Sequence, residues 1–302
     1  MSKTAFVFAG QGAQTVGMGK DLYDAFDSVK DLYDMSVGIR DMCFDGPQEQ
    51  LDITVNTQPA VFLTDLACAT VLSEKGIKAD GVAGFSLGEI AAAYYAGLMS
   101  KNQAFDFVCH RAKAMHICAQ KNQGNMFAVL KLADDKVEEI CDSLSGAYPV
   151  NYNSPGQVVV ACAENTAEKL QDTVKENGGK AIKLAVSGAF HSPFMDDASD
   201  NIAGYLVKEN LGTTRIPLYS NTTAREYDTA KELLAKQINH PVLWQETIEN
   251  MIDGGFDTFI EVGPGKTLSG LIKKINADVI VYNVSDLQSL ENTVNELRNN
   301  NA

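Results

Sequence analysis

The residues with the most to offer chemically begin at Gly84-Phe85-Ser86-Leu87-Gly88, inside the stretch VAGFSLGEIAAAYYAG (82–97). A serine flanked by glycines at −2 and +2, with a strand-like run before it and a helix-like run after it, has the layout of a nucleophile elbow. The turn needs small neighbours because the chain folds back on itself there. The first N–H groups of the following helix, that of Leu87 foremost, point to the place where an oxyanion would develop. A serine also needs a base. The chain has four histidines. His110 and His116 lie six apart on one helical run and face different sides, and His240 precedes Pro241. His191 lies in SGAFHSPFM, between Gly188 and Pro193, where a smaller folding unit rejoins a larger one; a loop at such a junction suits a catalytic group. The plain alternative is a hydrogen-bonded surface histidine. Arg111 lies mid-helix between the apolar Phe107 and Met115, so its guanidinium needs an anionic partner, either an internal carboxylate or that of a substrate.

Three other patterns point to less. GQGAQ (10–14) follows the first strand but has Thr15 where the third glycine of a dinucleotide fingerprint belongs. It reads as a strand–helix turn with available backbone N–H groups. PGKT (264–267) matches only the end of a phosphate-loop motif, whose first glycine would fall at Ile260. The six cysteines form no C-x-x-C pair, and with four histidines no zinc template fits; they read as reduced core residues.

The elements around these residues fall into two styles. Strands at 5–9 and 81–86 alternate with helical runs at 20–36, 57–76 and 87–97. Ser100 and Gln103 then form a capping box for a helix to about Gln120. This alternation implies a mainly parallel sheet covered on both faces. Between 125 and 188 the order changes to strand (125–132), helix (133–145), strand (147–154), strand (156–163), helix (164–178) and strand (179–187). That β-α-β-β-α-β order is the ferredoxin-like pattern. The α/β style returns with a helix at 196–209, a strand at 216–221, helices at 229–239 and 244–255, a strand at 256–263, a helix at 266–275, a strand at 278–284 and a last helix at 287–300. The expected organisation is a large α/β domain over 1–124 and 189–302, with a small ferredoxin-like domain inserted at 125–188.

Bulk properties narrow the function. The chain has 302 residues, 45% of them hydrophobic and 21% charged, and a net charge of −14. That charge argues against nucleic acid and against an anionic membrane surface. No apolar run nears the roughly 20 residues that span a bilayer, and the start lacks the form of a secretory signal. The cytoplasm is the expected compartment.

Taken together, FAGQGAQ, GFSLGE, HRAKAM, NSPGQVVVA, GAFHSPFM, NHPVLW and EVGPGKTLSGLIKKI, in that order from residue 8 to residue 275, resemble the malonyl-CoA:acyl carrier protein transacylases. The resemblance also reaches the acyltransferase domains of fatty acid and polyketide synthases. It implies a hydrolase-like α/β core with the ferredoxin-like insert as its small subdomain. Ser86 would be the acylated nucleophile, His191 its base and Arg111 the clamp for the malonyl carboxylate. Backbone N–H groups of Gln11 and Leu87 would form the oxyanion hole, and a main-chain carbonyl near a glutamine, which maps to Gln237, would orient His191. Phe85, Met115 and Phe190 would line the pocket. The resemblance implies malonyl-CoA as substrate, no permanently bound cofactor or metal, acyl carrier protein as partner, and a monomer. Phe85 departs from the histidine common at that position, and Phe190 suggests that a ring crowds out branched acyl groups. A hydrolase of the same core and a non-catalytic scaffold are the competing readings. Carrier proteins of this pathway are acidic, so docking needs a local basic patch; Lys266, Lys273 and Lys274 are the candidates by their closeness in sequence.

Overall fold

The computed structural model describes residues 2–186 and 188–300. Ser187, the end of the strand expected at 179–187 and the start of SGAFHSPFM, lies outside the described residues. Among the described residues the strands are β1 (Lys3–Phe8), β2 (Gly81–Gly84), β3 (Gly124–Leu130), β4 (Ala147–Ser154), β5 (Gln157–Ala163), β6 (Lys180–Lys183), β7 (Phe256–Val262) and β8 (Ile280–Val284). They form two sheets, in the orders β2-β1-β7-β8 and β4-β5-β3-β6.

In the first sheet every pairing is parallel, as in Val7 with Ala83 and with Glu261. Its strands are nearly continuous apolar runs: Ala5 to Phe8, Val82, Ala83, Phe259, Ile260 and Val262 are all buried. A sheet covered on both faces selects such runs in place of alternation. Parallel neighbours need long crossovers. That from β1 to β2 carries the helix Thr54–Glu74, which is buried around most of its circumference. Burying each Val, Leu, Ile or Phe of this core contributes about 1.5–3 kcal/mol.

Two expectations for this region are corrected. The single helix expected at 20–36 is split at Phe26, whose extended backbone (φ −131°, ψ 124°) separates helices Lys20–Ala25 and Asp27–Tyr33. The helical spacing of Leu22, Phe26 and Val29 suggested one stripe, but Phe26 is only half-buried, with the Lys75 ammonium 5.5 Å from its ring. The strand expected at 216–221 shrinks to one bridge between Leu218 and Val82. Pro217 accepts from the Val82 N–H but has no N–H to give, and Ser220 turns the chain by donating to Arg225 O at 2.8 Å.

The second sheet is antiparallel throughout. Helices Asp134–Asp142 and Ala167–Glu176 complete the β-α-β-β-α-β order. Val137, Ile140, Leu170 and Val174 from those helices share a core with Phe127, Val129, Val158 and Val160 from the strands. The β4–β5 hairpin turns at Pro155-Gly156, where Gly156 takes φ 71°. The fold is therefore an α/β structure with a parallel hydrolase-like core and a separate ferredoxin-like antiparallel sheet.

Contacts divide the chain into two compact units, Met1–Ala112 with Gly212–Tyr219 and Met251–Ala302, and Lys113–Leu211 with Ser220–Asn250. The second unit contains the ferredoxin-like sheet and also the segments to either side of it. The division falls inside the helix Lys101–Lys121, which opens on the expected capping box: Ser100 N donates to Gln103 Oε1 at 3.1 Å, and Gln103 N to Ser100 Oγ at 3.3 Å.

Candidate active site

β2 ends at Gly84 and the next helix, Gly88–Ala96, begins four residues later. The chain reverses through Ser86, which takes φ 53°, a left-handed conformation few non-glycine residues adopt. Its two glycines are explained by contact. A Cβ on Gly84 would overlap the main chain of Gly88 and Glu89, and one on Gly88 would overlap the carbonyl oxygen of Phe8. The turn is fastened by Phe85 N donating to Phe8 O at 3.0 Å and Gly88 N to Phe85 O at 3.0 Å. Leu87 enters the helix with right-handed backbone angles, so its N–H belongs to the first turn.

β1 and β2 are parallel neighbours, so the loops after them share the carboxyl edge of the sheet, where α/β folds place ligands. The loop after β1 carries Gln11. Gly10 lies so near that a Cβ there would sit 2.6 Å from Phe85 O and 3.1 Å from the Phe85 ring. Gln11 Nε2 donates to Thr54 Oγ1 at 3.3 Å.

Arg111 is 1% exposed. Its Nη2 donates to Ser86 Oγ at 3.2 Å and its Nη1 to Gln58 Oε1 at 2.6 Å. A fixed cation thus touches the serine oxygen. Phe107 and Met115, one turn to either side, are buried as the helical spacing required. Gln58 was not singled out in the sequence. Its signal is a polar residue within the apolar stretch QPAVFLTDLACA, since a buried amide requires a partner.

The second unit holds His191, Gln237, Phe190 and Met115. His191 is 4% exposed and also left-handed, at φ 60°. Its main-chain N donates to Ile238 O at 2.9 Å, and its Nδ1 lies 2.8 Å from Gln237 O. A carbonyl only accepts, so Nδ1 carries the proton and Nε2 keeps the lone pair a general base uses. It is the Gln237 main chain, and not its amide, that makes this contact. Ser192 Oγ braces the loop, donating to Ala189 O at 2.6 Å and accepting from Phe194 N at 3.3 Å. The Phe190 ring packs on Gly188, where a Cβ would come within 3.1 Å of it.

The remaining features take other roles. Glu261 accepts from Leu268 N at 3.0 Å, Ser269 N at 2.7 Å and Ser269 Oγ at 2.6 Å. The helix start after PGKT is thus occupied by the chain's own carboxylate, which leaves no phosphate cradle there. Lys266, Lys273 and Lys274 do not form one patch. Lys266 precedes the helix Thr267–Ile275 and the other two end it, about 12 Å of helix away. Lys273 Nζ donates to Ala277 O and Val279 O, closing that end. Burial pushes the thiols of Cys43 and Cys141 up to about 12, and those of Cys109 and Cys162 up to about 11. They stay protonated at neutral pH and are poor nucleophiles.

Known proteins resemble this chain over nearly its whole length. Residues 5–291 match the acyl transferase domain family. The malonyl CoA-acyl carrier protein transacylase of Bacillus subtilis is 36% identical over 314 residues, covering 100% of this chain and 99% of the relative. The crystal structure of malonyl CoA-acyl carrier protein transacylase from Clostridium perfringens superimposes with a TM-score of 0.95 at 40% identity, covering 99% of this chain and 98% of that one. A malonyl-transacylase solved in complex with its type II PKS acyl-carrier protein gives a TM-score of 0.93 at 33% identity, covering 98% and 100%. The chain belongs to the acyl transferase family, among the malonyl CoA-acyl carrier protein transacylases.

Proposed function

We propose that this chain moves a malonyl group from malonyl-CoA to the phosphopantetheine thiol of an acyl carrier protein by way of a malonyl ester on Ser86. The observation that carries the reading is the contact between Arg111 Nη2 and Ser86 Oγ at 3.2 Å on a left-handed strand–helix turn. A buried cation beside the nucleophile suits an acyl group that ends in a carboxylate.

His191 Nε2 takes the Ser86 proton as Oγ attacks the thioester carbonyl. The tetrahedral oxyanion receives the N–H groups of Gln11 and Leu87. The C–S bond breaks, the proton passes from His191 to the departing CoA sulfur, and the malonyl ester remains on Ser86. The carrier-protein thiol then gives its proton to His191 and attacks the ester carbonyl; the C–O bond breaks and Ser86 recovers the proton. In place of a third acidic residue, Gln237 O orients His191. The chemistry needs no resident cofactor or metal. Phe85, Met115 and Phe190 line the acyl pocket, and the Phe190 ring disfavours a branched acyl group. Phe85 removes the hydrogen-bonding capacity that an imidazole would bring to that position.

The carrier protein as partner is supported by the relative solved with its acyl-carrier protein. Cytoplasmic action as a monomer in fatty acid or polyketide synthesis completes the reading. The compartment is supported by six free cysteines; among the described residues no helix is long and apolar enough to cross a membrane.

Intact-mass spectrometry after mixing with malonyl-CoA tests this. A malonyl adduct mapped to Ser86 and discharged by holo-carrier protein is the expected result. Free malonate released without carrier protein identifies a hydrolase, and no reaction identifies a non-catalytic protein; either overturns the proposal.

A further inference from the structure

One helix supports both substrate-facing elements of the first unit. Thr54 and Gln58, at i and i+4 in the first turns of Thr54–Glu74, share a face of that helix. Thr54 Oγ1 accepts from the Gln11 side chain at 3.3 Å, and Gln58 Oε1 accepts from Arg111 Nη1 at 2.6 Å. Gln58 is fully buried, and a helix interior fixes its rotamer. The guanidinium is a rigid planar fork, so holding Nη1 fixes the direction of Nη2, the group directed at Ser86 Oγ.

From this geometry we infer that Gln58 is a positioning residue that aims Arg111 at the acyl carboxylate and thereby sets the preference for dicarboxylic over plain acyl groups. The inference rests on the function proposed above. The chemistry of the partner matters. Gln58 offers a neutral amide oxygen, which directs the guanidinium without pairing its charge. A carboxylate at the same place would hold Arg111 equally well, yet compete with the substrate for its charge. A non-polar side chain of the same length would remove this hold on Nη1.

The test compares Ser86 loading by malonyl-CoA and by acetyl-CoA in the parent, Gln58→Met, Gln58→Glu and Arg111→Ala, and in the Gln58→Met/Arg111→Ala pair. Hydrogen bonds to charged groups set the scale, so the malonyl-to-acetyl ratio of kcat/KM is expected to fall about 10- to 100-fold in Gln58→Met. In Gln58→Glu the malonyl loss is expected mainly in KM, because the clamp keeps its aim while its charge is paired. In the Arg111→Ala background, Gln58→Met is expected to change the ratio little further, because Gln58 acts through Arg111. Equal losses with malonyl and acetyl, or a full additional ratio change in the Arg111→Ala background, overturn the inference. Thermal unfolding of each variant separates misfolding from selectivity, since a loss of folded protein lowers both rates together. If the parent acquires no adduct on Ser86, the proposed function falls and this inference with it; an adduct with an unchanged ratio in Gln58→Met sinks the inference alone.

Discussion

Ser86 and His191 share an uncommon conformation but are held in it by different means. Both are non-glycine residues at positive φ, 53° and 60°, each at a cost of about 1–3 kcal/mol that its surroundings must offset. Ser86 is caged by its own neighbours: Gly84 and Gly88 are absent of side chains because the backbone of the turn occupies that space. His191 is held by the hydrogen bonds it donates to the carbonyl oxygens of Gln237 and Ile238, 46 and 47 residues further along the chain. Strain at a functional position can therefore be maintained by local sterics or by distant hydrogen bonds, and only the first leaves a compact sequence signature.

The largest expected effect tests whether the two positions form one catalytic unit. Ser86→Ala and His191→Ala should each slow malonyl transfer by about 10⁴- to 10⁶-fold, and the double variant should be little worse than either single one. Additive losses in steady-state transfer to carrier protein would mean that they act separately.

A smaller effect separates caged from uncaged glycines. Gly84→Ala drives a Cβ into backbone that cannot yield, so a loss of about 3 kcal/mol is expected in denaturant unfolding. Gly178→Ala, at φ 82° with open space around it, should cost only about 1–2 kcal/mol through backbone strain. Comparable losses at both would refute the steric account of the elbow.

The last contrast lies within the first unit, between two buried carboxyl groups. Glu261 is held by three donors from the helix that follows it. Asp65 is fully buried, and among the described residues its two carboxyl oxygens have no hydrogen-bond partner. Burial, and then the charge of Glu261, raise the Asp65 pKa well above its ordinary value of 3.8. The folded state keeps a proton that the unfolded chain releases. The parent therefore loses stability as pH rises from about 4 through the folded pKa, by up to about 1.4 kcal/mol per pH unit. Asp65→Asn stays neutral throughout. Its stability relative to the parent should improve with rising pH above about 4 and show no trend below. Parallel unfolding free energies for the two proteins across pH 4 to 8 would contradict this.

Much of the architecture was legible before folding. Period and punctuation marked the apolar parallel strands, the β-α-β-β-α-β order and the Ser100–Gln103 capping box, because each is written within a few consecutive residues. The elbow was legible for the same reason. The errors arose where the local pattern was met by a competing demand. Phe26 had helical spacing but takes an extended conformation, and the strand expected around Pro217 is cut to one bridge where the chain turns at Ser220. Lys266, Lys273 and Lys274 looked like one patch in the chain and stand at opposite ends of a helix.

By itself, then, the sequence determined the alternation of elements, the glycines that permit a left-handed serine, and the family motifs, since these depend on covalent geometry and side-chain periodicity over short spans. Only the tertiary structure decided that Gln58, 53 residues before Arg111, holds its guanidinium, and that the carbonyl beside His191 Nδ1, which the family motifs placed only near Gln237, is that of Gln237 itself. Such partners are chosen by sheet order and helix packing, and a hydrogen bond reaching about 3 Å is specified only once those are in place.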